Sequence, residues 1–304
     1  MMKKLFYNVI YVSARLFSML PFRVLYALSD FTYLIVYYVI GYRRKIVSKN
    51  LAASFPEKTL GEIKDIERGF YRFFCDYIVE TVKLMTISDD ELLSHIEFKN
   101  VGQVEEYFKQ GRDCAGILGH YCNWEWLSAV GLAFAESKDA VMGLIYHPLR
   151  NEAFDALMRD IRQSKGGVCV PKKDILRYLL RYRSEGRNSL FGYIADQTPK
   201  YENIHLWLSF MNQDTPVFTG AERIMNKMDD AVFYVDMQRP ERGRYICTFR
   251  LITDRPKDCS QWEITRNFFS MLESSIRRQP EFYLWSHNRW KRSFEKYEEK
   301  KHLR

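Results

Sequence analysis

Between Asp113 and Ala195, short apolar runs alternate with longer amphipathic stretches, and this order constrains the fold more than any other feature of the chain. The runs Cys114–Gly119, Val141–Tyr146, Gly167–Val170 and Leu190–Ala195 are expected strands. The stretches Trp124–Glu136, Asn151–Ser164 and Lys173–Arg183 carry helical spacing and are expected helices. A strand–helix–strand–helix order predicts an α/β fold: a mixed, largely parallel central sheet covered by helices. Further strands are expected at His205–Phe210, Ala231–Gln238 and Tyr245–Ile252, then a helix at Gln261–Arg277 and a highly charged tail from Asn288. Earlier in the chain, Ile63, Ile66, Phe70, Phe73 and Tyr77 recur at helical spacing. The sequence has no internal repeat, and Gly166-Gly167 alone does not make a nucleotide-binding loop.

A different pattern opens the chain. From Leu5 to Gly41 the residues are apolar and aromatic, interrupted by Arg15, Arg23 and Asp30 and divided by Pro21. The part from Leu25 to Gly41 holds one charge and then meets Arg43, Arg44 and Lys45. About 20 apolar residues cross a bilayer, so residues 1–41 read as an uncleaved membrane anchor, either one spanning helix or a helix lying in the interface. A buried helical hairpin is the plainer alternative. The basic cluster predicts a cytoplasmic position for a second domain, residues 42–304.

The balance of 46 Lys and Arg against 38 Asp and Glu gives a net charge of +8, which favours anionic partners. Nucleic acid fits poorly, because no nucleic-acid motif accompanies the charge. The basic run Lys172, Lys173, Arg177, Arg181, Arg183 and Arg187 is either a docking surface or a solvated helix face. The six cysteines form no C-x-x-C pair and no zinc-spaced cluster with histidine. A reduced protein without a metal or other cofactor is expected.

One segment carries the features of a reaction centre. Gly116-Ile117-Leu118-Gly119 runs into His120, and Glu125 lies five residues later. On one continuous helix the two would stand about 140° apart. If His120 ends a strand and Glu125 lies in the first turn of a helix capped by Asn123, the bend can bring them together. A carboxylate beside the imidazole would fix its tautomer and stabilise the imidazolium, so that the ring could take a proton from a substrate hydroxyl.

The surrounding residues extend this signal over nearly the whole chain. Arg43-Arg44, Asn50-Leu51, Ser54-Phe55-Pro56-Glu57, the H-x4-E element at His120 and Glu125, Tyr146-His147-Pro148, Arg162, Asp196-Gln197, Leu208-Ser209-Phe210, Thr215-Pro216 and the Leu284–Lys291 stretch occur in that order. Together they resemble the late, secondary acyltransferases of lipid A biosynthesis, within the lysophospholipid acyltransferase group. The resemblance implies a glycerol-phosphate acyltransferase-like fold at the cytoplasmic face of a bacterial inner membrane. It implies transfer of an acyl chain from acyl carrier protein to a hydroxyl of a lipid A precursor. It casts His120 as base and Glu125 as its orienting partner. Arg162 would hold an oxyanion or an acceptor phosphate, and Asp196 would orient Arg162 or the acceptor. Another phospholipid or phosphoglycolipid acceptor is the alternative, as is a non-catalytic lipid-binding protein of the same fold.

Overall fold

The computed structural model describes residues 2–302. In chain order the elements are α1 (Met2–Ser18), α2 (Phe22–Leu34), α3 (Arg44–Ser54), α4 (Leu60–Lys83), α5 (Asp89–His95), β1 (Ile96–Lys99), α6 (Val101–Lys109) and β2 (Cys114–Leu118). There follow β3 (Val141–Tyr146), α7 (Glu152–Gln163), β4 (Val168–Pro171), α8 (Ile175–Ser184), β5 (Ser189–Ile194), β6 (Trp207–Phe210) and β7 (Gln213–Pro216). Last come α9 (Gly220–Met228), β8 (Ala231–Glu241), β9 (Arg244–Thr253), α10 (Glu263–Arg278) and α11 (Phe294–His302).

Seven strands form one sheet in the order β1-β9-β8-β2-β5-β3-β4. Neighbours are parallel throughout, except that β8 and β9 form an antiparallel pair. The expected mixed, largely parallel α/β sheet is therefore present. β2 is buried along its whole length, which is what its unbroken apolar run requires of a central parallel strand. The chain leaves β2, passes over β5 to β3 and β4, returns to β5, and then crosses to β8 on the far side of β2. The strands reverse order around β2 and β5, so their carboxyl ends open the crevice where open α/β sheets place their sites.

The expected helix over 124–136 is instead a 3-10 helix, Trp124–Ala133. Asn123 does not cap it: its side-chain oxygen accepts from no backbone N–H of the first turn, while its amide donates to Glu80 Oε2 at 2.7 Å. Two strands escaped the sequence reading. β1 is only four residues long, and β7 is the polar run Gln-Asp-Thr-Pro. β6 and β7 make a separate hairpin, turned by Met211 and Asn212 with φ of 53° and 59°. Both central residues of such a tight turn need positive φ. Asn accepts this readily and Met does not. Glu273 on α10 holds the turn by accepting the Met211 N–H at 2.9 Å.

α4 is the spine on which the N-terminal helices lie. A capping box starts it, with Thr59 Oγ1 accepting from Glu62 N and Glu62 Oε2 accepting from Thr59 N. α2 runs antiparallel to it: Tyr26 donates to Glu80 at 2.9 Å, Ser29 to Asp76 at 2.7 Å, and Tyr37 to Glu67 at 3.0 Å. Pro21 separates α1 from α2, and Ile35–Ile40 continue α2 as a π-helical turn. The apolar start of the chain is thus two helices packed on the α/β core.

Candidate active site

His120 lies just beyond β2, and Asp196 just beyond β5. The two strands are parallel neighbours with Leu118 opposite Ile194. Two residues further along each strand, His120 and Asp196 fall opposite one another. Asp196 Oδ2 accepts the His120 backbone N–H at 3.0 Å, and Oδ1 lies 2.6 Å from His120 Nδ1. Gln197, the next residue, places its amide nitrogen 3.2 Å from His120 Nε2. These contacts assign the ring. A carboxylate only accepts, so Nδ1 carries the proton. An amide nitrogen only donates, so Nε2 presents its lone pair.

Burial alone would push the Asp196 carboxyl up, but the charge and hydrogen bonds of His120, with Arg289 nearby, hold it below the usual carboxylate range. Asp196 is therefore ionised at neutral pH. Arg289 is itself buried and anchored by donation to the Pro216 carbonyl at 2.8 Å. Burial pushes His287, near the same carboxylate, down to about 4, so this second histidine is neutral.

Glu125 is hydrogen-bonded to other residues and not to His120, where the spacing led to the expectation of a His120–Glu125 contact. Arg162 on α7 grips it from two sides, Nε to Oε2 at 2.7 Å and Nη2 to Oε1 at 2.6 Å. The Tyr77 hydroxyl and the Trp124 indole N–H each donate to Oε1 at 3.2 Å. Burial opposes the Arg162 charge, but the hydrogen bonds and charge of Glu125 outweigh it and raise Arg162 above its usual value. Paired charges out of water hold only with this many partners.

Backbone geometry explains why the two ends of the H-x4-E element part company. Cys122 sits at φ 53°, and its N–H is tied to the Phe282 carbonyl at 3.0 Å. The His120 carbonyl accepts from Leu284 N at 3.1 Å. The turn at Cys122 leaves His120 over β5 and sends Glu125 toward α7. Trp124 joins the halves: its ring meets the His120 ring edge-on at 5.1 Å, and its N–H reaches Glu125.

All four residues singled out from the sequence therefore belong to two adjacent pairs, His120–Asp196 and Glu125–Arg162, partnered differently from the expectation. Asp196 is hydrogen-bonded to His120 and not to Arg162. Arg159, one turn before Arg162, points instead to Asp155 at 3.7 Å. His147 is exposed and turns back to the Pro148 carbonyl. Tyr77 and Trp124 were missed, since an aromatic at helical spacing carries no chemical signal of its own. In the basic run, Arg177 pairs with Asp174, Arg181 with Glu185 and Arg183 with Asp113, so much of its charge is locally neutralised.

A buried, ionised carboxylate hydrogen-bonded to a histidine, at the carboxyl ends of two central parallel strands, marks the candidate site of this α/β protein. The chain belongs to the bacterial lipid A biosynthesis acyltransferase family, which matches residues 3–292. It is thus an acyltransferase of that family. No curated protein matches the chain.

Proposed function

We propose that this acyltransferase moves a fatty acyl chain from the thioester of acyl carrier protein to a hydroxyl of a lipid A precursor, at the cytoplasmic face of the inner membrane. The observation that carries the mechanism is the 2.6 Å contact between His120 Nδ1 and an ionised Asp196. With Nδ1 occupied, Nε2 is the basic atom. It takes the proton of the acceptor hydroxyl as that oxygen attacks the thioester carbonyl carbon. The charge that forms on the imidazole is balanced by Asp196. The tetrahedral intermediate then collapses, the C–S bond breaks, and the departing thiolate takes the proton from His120. Ester and thiol are the products.

Arg162 is the group for the transient oxyanion. Its two bonds to Glu125 leave further N–H groups on the guanidinium, and the bidentate grip fixes its plane. In this reading Glu125 positions Arg162. The membrane supplies the acceptor, and the apolar helices α1 and α2 keep the site beside it. The test is direct. Purified protein, acyl carrier protein loaded with a defined acyl chain, and a lipid A precursor should yield a product heavier by one acyl group in mass spectrometry. His120→Ala should yield none. A product formed only with a different phosphoglycolipid acceptor would move the reading to the alternative substrate class.

A further inference from the structure

We propose that α1 and α2 form a monotopic device that lies in one leaflet of an anionic bilayer and does not cross it. The inference rests on the reading of the protein as membrane-bound and specifies how it is bound. Phe22–Ile40 is the one stretch among the described residues long and apolar enough to span a membrane. Its polar side argues against spanning. Tyr26, Ser29 and Tyr37 follow one another along that side, and each donates to a carboxylate of α4: Glu80, Asp76 and Glu67. Arg242 closes the same side by bridging Asp76 at 2.6 Å and Asp30 at 2.8 Å. Arg72 lies over the Tyr33 ring. These bonds are distributed along α2 and its π-helical extension. A crossing helix would either drag α4 with three buried acids into hydrocarbon or leave those acids behind unpaired, and both are costly.

The opposite side of the same helices is apolar and uncovered. On α1, Phe6, Val9, Val12 and Leu16 are exposed, and Met19 continues the row at 64% exposure. On α2, Val24, Leu28, Phe31 and Leu34 are exposed, and beyond them Val39 is 79% exposed. Spacing of three and four residues puts each row along one helix face. The occupant is identified by charge. Arg15, Arg23 and Lys45 border these rows and are exposed, while the one acid in the segment, Asp30, is already paired with Arg242. Among the described residues, an apolar face edged by Arg15, Arg23 and Lys45 fits the headgroup region of an anionic leaflet. The same device sits close to the chemistry. α1 packs on α7, with Tyr7 donating to Asp160, two residues before Arg162.

The test is topology in sealed spheroplasts expressing the full chain, with single cysteines Asn8→Cys and Lys45→Cys labelled by a membrane-impermeant maleimide and the parent protein as background. Both positions should stay unlabelled until the membrane is opened, and then both should react. Labelling of one position in intact spheroplasts would mean that α2 crosses the bilayer, and would overturn the proposal. The lipid-facing rows are tested by Val9→Asp, Leu28→Asp and Phe31→Asp combined. Binding to phosphatidylethanolamine–phosphatidylglycerol vesicles should fall at least tenfold, with acyl transfer to detergent-dispersed acceptor largely kept. Unchanged vesicle binding would overturn the assignment of the face. A parent protein that ignores vesicles and sediments as a dimer would give the face to a second copy, and would count against the membrane-bound reading itself.

Discussion

Buried aspartates stand at both ends of the central parallel strands and meet opposite electrostatic surroundings. At the carboxyl ends, Asp196 faces His120 and lies near Arg289, and these neighbours overcome burial to keep its carboxyl below the usual range. At the amino ends, Asp113 and Asp230 precede β2 and β8, which pair from Cys114 and Ala231 onward. Burial and then the neighbouring Asp113 charge push Asp230 up to about 7, with Arg183 only partly compensating. Asp113 is occupied with holding the fold: it accepts from Ser189 N at 2.8 Å, Ser189 Oγ at 3.0 Å and Arg183. The same residue type is therefore the charged partner of a histidine at one end and a half-neutral structural group at the other. Partner identity decides which, because both sites are desolvated to a similar degree.

The largest expected effect breaks the carboxyl end. His120→Ala should remove acyl transfer, by three decades or more as expected for loss of a general base, while circular dichroism and melting stay near those of the parent. Asp196→Asn comes next. It keeps the size of the side chain but loses the charge that fixes the tautomer, and should lower kcat by about two to four decades. Glu125→Gln tests the second pair. It loosens Arg162 without touching the histidine, so kcat should fall by about two decades, the low end of the loss of one oxyanion donor. A Glu125 variant more damaging than the Asp196 variant would restore the pairing expected from spacing. Turnover of all three under saturating donor and acceptor makes the ranking.

The smallest effect is expected at the amino end, and its sign is the informative part. The folded protein holds the Asp230 proton more tightly than the unfolded chain does. That contribution to stability is full below about pH 4 and is lost as pH rises through about 7. Asp230→Asn should thus raise the melting temperature by a few degrees at pH 8, about what 1 kcal/mol gives in a domain of this size. It should do little at pH 4 and leave turnover unchanged. Asp196 has the opposite sign: its contribution is present above the ordinary carboxylate value and fades as pH falls through its lowered folded value. Melting curves of Asp230→Asn that shift equally at both pH values would show that its carboxylate is not the strained group.

Much of this architecture is written in local pattern. The apolar runs of β2, β3, β4 and β5 and the helical spacing of α4, α7, α8 and α10 are visible without coordinates, because burial on two faces or on one stripe selects residue type locally. Pro21 marks the division of the N-terminal helices for an equally local reason. The short β1, the polar β7 and the 3-10 helix at Trp124–Ala133 are not visible, since each is set by what packs beside it. For the site, sequence supplied the four residues and tertiary structure supplied their pairing. His120 and Asp196 are 76 residues apart and meet only because β2 and β5 are parallel neighbours in one register. Glu125 and Arg162 meet because α7 packs beside the 3-10 helix after the chain turns at Cys122. A chain encodes residue type at each position, but which strand lies next to which depends on the crossovers that cover the sheet, and so the partner of His120 was decided only when the whole sheet was assembled.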